Sequence, residues 1–128
     1  MNRSPAFSFY PDKWLTHTRH LTPIARDVYH EIICWMWMQD DVYCSIPADP
    51  EAIACLLAID EQLARHALAE IQNKHRPLLD LRGDRLFSKG LEKEREIQRK
   101  RREESTAAIN TRWARERAKQ PSTPVVRP

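Results

Sequence analysis

The sequence predicts a mainly α-helical protein with one small β-hairpin and a long charged helix towards its C-terminal end. Three observations carry that expectation. Apolar residues recur at helical spacing behind Thr22-Pro23, two further helix starts follow at Asp49-Pro50 and Asp60, and Gly83-Asp84 separates two short β-capable runs. The 128 residues suit one domain of ordinary size plus a tail, and 41% hydrophobic against 30% charged residues leaves a modest core.

Taken in order, residues 3–15 carry Phe7, Phe9, Tyr10 and Trp14 among turn residues, with Pro5 and Pro11 opposing a regular helix. An extended segment that docks aromatics on the core is expected there. At the next element Thr22 can cap, Pro23 suits the first helical position, and Ile24, Val28, Ile32 and Met36 form a stripe that runs to about Gln39. Tyr29, Ile33, Trp35 and Trp37 widen that stripe until it nearly encircles the helix. Such a helix needs cover on more than one side, from its own domain or from a second copy in a homodimer. Asp40-Asp41 stops the pattern, and Val42–Pro47 reads as a linker or edge strand.

Asp49 then caps a short helix with Pro50 in its first turn and Ile53, Leu56 and Leu57 inward. Ala58-Ile59 separates it from a helix expected from Glu61 to Lys74, stopped by Pro77, which is helix-turn-helix spacing. Leu78–Arg82 and Arg85–Ser88 flank the glycine turn as a hairpin. Together these elements predict a winged helix-turn-helix core over residues 1–88. Residues 89–128 form a second region, a basic helical arm from Lys89 to about Lys119 and a Pro-rich loose end. Glu96–Lys100 and Arg112–Glu116 are expected as opposite-charge pairs on that arm.

Charge separates the two regions more sharply than composition does. Residues 1–88 hold nine Lys/Arg against twelve Asp/Glu, and residues 89–128 hold twelve against six. An acidic or neutral body with a basic arm is the footprint of a protein that meets an anionic polymer or a charged protein surface. On the helix after Asp60, Leu63, Ala64, Ala67, Leu68 and Ile71 fall on one side, and Gln62, Arg65, His66, Ala69, Gln72 and Asn73 on the other. Gln and Asn can pair with adenine, Arg with guanine, and Ala69 permits close approach, whereas Glu61 and Glu70 flank the face and repel phosphate. An ordinary solvated polar face fits the same residues. Arg76, Arg82 and Arg85 surround the hairpin where phosphate would lie, with Asp80 and Asp84 offsetting their field. Arg99-Lys100-Arg101-Arg102, and later Arg112 beside Trp113, could hold phosphate while the indole stacks on a base. A solvated helix, or a partner-binding helix anchored by Trp113, is the other reading.

Enzymatic chemistry finds little support. Gly83 and Gly90, the only glycines, cannot build the phosphate-cradling or nucleophile-elbow motifs. His30 and Cys34 are four apart but lack further ligands, and Cys34, Cys44 and Cys55 form neither a disulfide framework nor a zinc knuckle. No metal and no cofactor is expected. Ile32–Met38 is far shorter than the ~18–20 apolar residues of a membrane span, and no apolar leader precedes Tyr10, so a cytoplasmic protein without a membrane partner is expected.

Phe9-Tyr10-Pro11-Asp12-Lys13-Trp14-Leu15, Leu21-Thr22-Pro23-Ile24-Ala25-Arg26, Ile46 to Ala54 and the closing Arg112-Trp113 resemble the YdaU-like family of phage and prophage proteins over about residues 5–115. Ala58-Ile59-Asp60 stands where members of that family often carry a Gly-Val-Ser-like turn. The resemblance implies a winged-helix module related to phage replication-initiation proteins, associated with DNA and without enzymatic activity. The function expected is therefore binding of duplex or single-stranded DNA in replication initiation or its control. The alternative is an adaptor that recruits a replisome or host protein through the charged tail.

Overall fold

The computed structural model describes residues 6–39 and 44–119. Along them run α1 (Pro11–Thr18), α2 (Pro23–Met38), β1 (Ser45–Pro47), α3 (Pro50–Leu57), α4 (Glu61–Ile71), β2 (Asp80–Arg82), β3 (Arg85–Phe87) and α5 (Lys89–Lys119). The mainly helical class and the long C-terminal helix match the expectation from sequence. Asp40-Asp41, Val42 and the Pro-rich end from Pro121 lie outside the described residues, as does Pro5.

The expected extended segment is corrected at its second half, where Pro11 begins a helix instead of opposing one. At the first helical position the missing N–H has no partner to lose, and the ring fixes φ near the helical value. The aromatics still dock. Phe7 lies 5.4 Å from Trp37, and Trp14 stacks on Tyr29 at 5.4 Å while meeting His30 edge-on. Burial raises the Tyr29 pKa above its ordinary phenolic value.

Around α2 the core closes. Thr22 caps the helix, its hydroxyl accepting from the Ala25 N–H at 3.3 Å, and Ala25, Val28, Ile32, Ile33, Met36 and Trp37 are buried. Trp37 is the largest fully enclosed side chain. Burying an indole removes roughly 150–250 Å² from water, worth on the order of 4–6 kcal/mol. Trp35, two residues earlier and on another face, stays 39% exposed.

The hairpin is one part of a three-stranded antiparallel sheet in the order β1-β3-β2. Ser45, Ile46 and Pro47 face Phe87, Leu86 and Arg85 on one side of β3, and Asp80, Leu81 and Arg82 face Phe87, Leu86 and Arg85 on the other. Edge position suits β1, because Pro47 cannot donate to a central ladder. The turn is set by Gly83, whose φ of +62° precedes an Asp84 without positive φ. That order of signs belongs to a II′ turn, which places glycine first, so Gly-Asp serves here where a I′ turn would call for Asp-Gly.

Asp49 and Asp60 cap α3 and α4 as expected, accepting from the Glu51 and Gln62 N–H groups. Between these helices Ala58 adopts φ 55°, ψ 46°, and the Ile59 N–H reaches back to the Ala54 carbonyl at 3.0 Å. This is a left-handed helix stop of the kind glycine occupies without strain. The expected end of α4 is corrected from Lys74 to Ile71. There Leu78 donates to the Ile71 carbonyl and turns the chain back before another helical turn can form.

Ser88 starts α5, its hydroxyl accepting from the Leu91 N–H at 3.2 Å. Leu91 and Glu94 are buried, and the chain divides into two compact units, residues 1–95 and 96–128, so that the division falls within α5. In the second unit neither expected ion pair forms among the described residues. Arg99 takes both Glu96 and Glu103, one turn to either side, so Glu96 is bonded to Arg99 and not to Lys100, and Arg112 and Glu116 stay apart. Since Ala58 carries a Cβ in the left-handed region, Ala58→Gly is expected to stabilise the fold by about 0.5–1 kcal/mol, read from urea unfolding. A lowered midpoint would show that the turn is not strained.

Candidate nucleic-acid interface

The outer face of α4 is built by what fixes the helix at its two ends. At the N-terminal end Asp60 caps. Towards the C-terminal end Glu70 reaches the start of α2, accepting from the Thr22 N–H at 3.0 Å and from the Thr22 hydroxyl at 2.8 Å. Glu70, expected to repel phosphate, is thus held as a clamp between two helices. Gln72 is also withdrawn from the expected recognition face. Its side-chain amide donates to the Leu79 carbonyl at 3.0 Å and accepts from the Leu79 N–H at 2.9 Å, pairing a backbone that would otherwise be buried with open hydrogen bonds.

The remaining residues of that face are exposed: Gln62, Arg65, His66, Ala69 and Asn73. Arg65 lies against Glu61 at 2.7 Å, an exposed pair whose stability is small and which a phosphate or base edge can displace. Asn73 accepts the His75 N–H at 2.9 Å through its side-chain oxygen, leaving its NH2 group as the donor for a ligand. Because α4 ends early, Lys74, His75 and Arg76 form an exposed loop at its C-terminal end. Sequence reasoning named Arg76 alone for this place. A shorter α4 was the missing premise, and the Gln72–Leu79 pairing that shortens it has no signature in the local sequence.

The hairpin cations are placed differently from the loop. Arg82 donates to Asp80 at 2.7 Å and to both Glu92 oxygens, at 2.8 and 3.1 Å, and its guanidinium lies over Phe87 at 4.5 Å. Those hydrogen bonds, with Glu92 foremost, raise its pKa further. Arg85 turns inward, donating from Nε to the Ser45 hydroxyl at 2.9 Å, and thereby ties β3 to β1. Both arginines are engaged within the protein.

In the second unit Lys100, Arg101, Arg102, Arg112 and Trp113 are exposed, whereas Arg99 is held by its two glutamates. Among the described residues no three His, Cys, Asp or Glu side chains gather as a metal-holding group. Burial pushes the Cys34 and Cys44 thiols above their ordinary pKa, which disfavours a nucleophilic thiolate. No described helix is long and apolar enough to cross a membrane.

Replacing Gln72 with Ala strands the Leu79 N–H and carbonyl beside a buried side chain, and a loss of about 2 kcal/mol in unfolding free energy is expected. An unchanged denaturation midpoint would show that solvent satisfies both groups. No protein-family model matches the chain, and no curated protein or solved structure matches it.

Proposed function

We propose that the first unit is a winged helix-turn-helix that binds duplex DNA, in a non-enzymatic cytoplasmic protein of the YdaU-like phage type acting in replication initiation or its control. The order of α2, β1, α3, α4, β2 and β3 supports the winged reading, since it places a turn-linked helix pair ahead of a hairpin. One observation carries the DNA reading. The outward side of α4 offers Gln62, Arg65 and His66 around a small Ala69, with the Asn73 NH2 group just past the helix end, and the helix is fastened by Glu70 and Gln72. Recognition groups on a fixed helix lose little freedom on binding.

In this reading α4 meets base edges in the major groove while Lys74 and Arg76 take backbone phosphates beside it. Arg82 and Arg85 shape the hairpin. Lys100, Arg101, Arg102 and Arg112 add phosphate contacts of no sequence preference. An adaptor role is the second reading, favoured by Ile109 and Trp113, which stand 50% and 61% exposed on the same helix.

Fluorescence anisotropy of the full chain with duplex and single-stranded DNA across a salt series separates the two. Phosphate contacts require affinity that falls steeply with salt. Replacing Arg65 and Asn73 together is expected to cost about 1–3 kcal/mol on preferred sites and to relax sequence preference, whereas Arg101→Gln with Arg102→Gln should weaken all sequences alike. Undetectable binding at low salt would leave the adaptor reading in possession of the surface.

A further inference from the structure

We propose that two copies of this chain associate through an antiparallel contact between their second units, centred on Ile109. From residue 99 to residue 119 every side chain of the α5 segment is exposed, yet the segment is not uniformly polar. Stepping about 100° per residue, Arg102, Thr106, Ile109, Trp113 and Glu116 fall on one side of the helix. Arg102, Ile109 and Glu116 are spaced by seven, and Thr106 and Trp113 repeat at the same interval. This is the spacing of a helix that packs along another helix, with Ile109 and Trp113 as its apolar centre.

The charges at the two ends of this face decide which helix it fits. In a parallel pair, Arg102 would face a second Arg102 and Glu116 a second Glu116. In an antiparallel pair with Ile109 on the two-fold axis, Arg102 lies across from the other copy's Glu116, and the reciprocal pair forms at the opposite end. The same register sets Trp113 across from the small Ser105 of the other copy, giving the indole room to lie against the facing backbone. A face that complements itself under a two-fold rotation is the requirement for a closed dimer. Among the described residues neither Arg102 nor Glu116 is held in an ion pair, unlike Arg99, so both are available for the contact. Arg101, Arg115 and Lys119 lie off this face and stay in solvent, so the dimer withdraws Arg102 and Trp113, but not those cations, from contact with nucleic acid.

Sedimentation equilibrium of the full chain over a concentration series tests the contact at physiological salt. A reversible monomer–dimer equilibrium is expected. Arg102→Glu alone, or Glu116→Arg alone, should weaken it roughly tenfold or more because two like-charge layers replace two attractive ones. The double variant R102E/E116R restores opposite charges and should recover to within about threefold of the parent. Ile109→Asp should leave a monomer, with circular dichroism confirming that the helix persists. A monomeric parent up to about 1 mM, the scale of a weak small interface, would overturn the proposal. So would a dimer indifferent to Ile109→Asp, or a charge swap that fails to recover association. None of these outcomes depends on whether the first unit binds DNA.

Discussion

The enclosure of Trp37 is the constraint on which the first unit depends. Its indole is 1% exposed and contacts chain segments far apart in sequence: Phe7 packs on it at 5.4 Å, and Arg95 lies over the ring at 4.7 Å. Arg95 also donates to the Trp37 carbonyl at 3.1 Å. A cation placed over an indole that water cannot reach is held more strongly than one at the surface, so the end of α2 fixes the opening turns of α5 as well as the N-terminal segment. The Ser8 N–H, donating to Glu94 at 3.1 Å, follows from the same arrangement. Without Trp37 the N-terminal aromatics and the start of α5 would lose their common support.

The outer face of α4 is downstream of that core. Its inward residues Ala64, Ala67 and Ile71 are small or aliphatic and buried, which brings the helix close to α2 and lets Glu70 reach Thr22. Small residues inside therefore determine which polar residues stay outside. Glu70 and Gln72 spend their hydrogen bonds on positioning, and the polar residues before and after them, Gln62, Arg65, His66 and Asn73, stay exposed.

Element starts were legible in the sequence because capping chemistry is local. Thr22, Asp49 and Asp60 each bond an N–H two or three residues ahead, and each lies where its side-chain type predicts. Element ends and partnerships were less legible because they depend on residues distant in sequence. α4 stops at Ile71 through bonds to Leu78 and Leu79, and β1 is a strand because β3 comes alongside it. Pro11 was misread for a different reason. Proline opposes a helix interior but favours a helix start, and the turn-forming residues around it do not by themselves say which of the two positions it takes. Ala58 illustrates a third limit. A left-handed stop is usually announced by glycine, and here the chain adopts it with alanine because α3 and α4 must both reach the same core.

For the candidate interface, the count of cations in the sequence overstated the charge available to a ligand. Arg82, Arg85 and Arg99 look alike in a sequence, yet two are held by paired carboxylates and one by a serine across the sheet. A guanidinium already bidentate with a carboxylate must give up those bonds before it can take a phosphate, so its net gain on binding is small. Lys74 and Arg76 carry no such commitment among the described residues, and they stand at the end of the helix whose face is composed of neutral donors and acceptors. What separates a binding cation from a structural one is whether the protein already engages its donors. Beside the outer face of α4, the uncommitted charge lies at the C-terminal end of that helix and not on the hairpin.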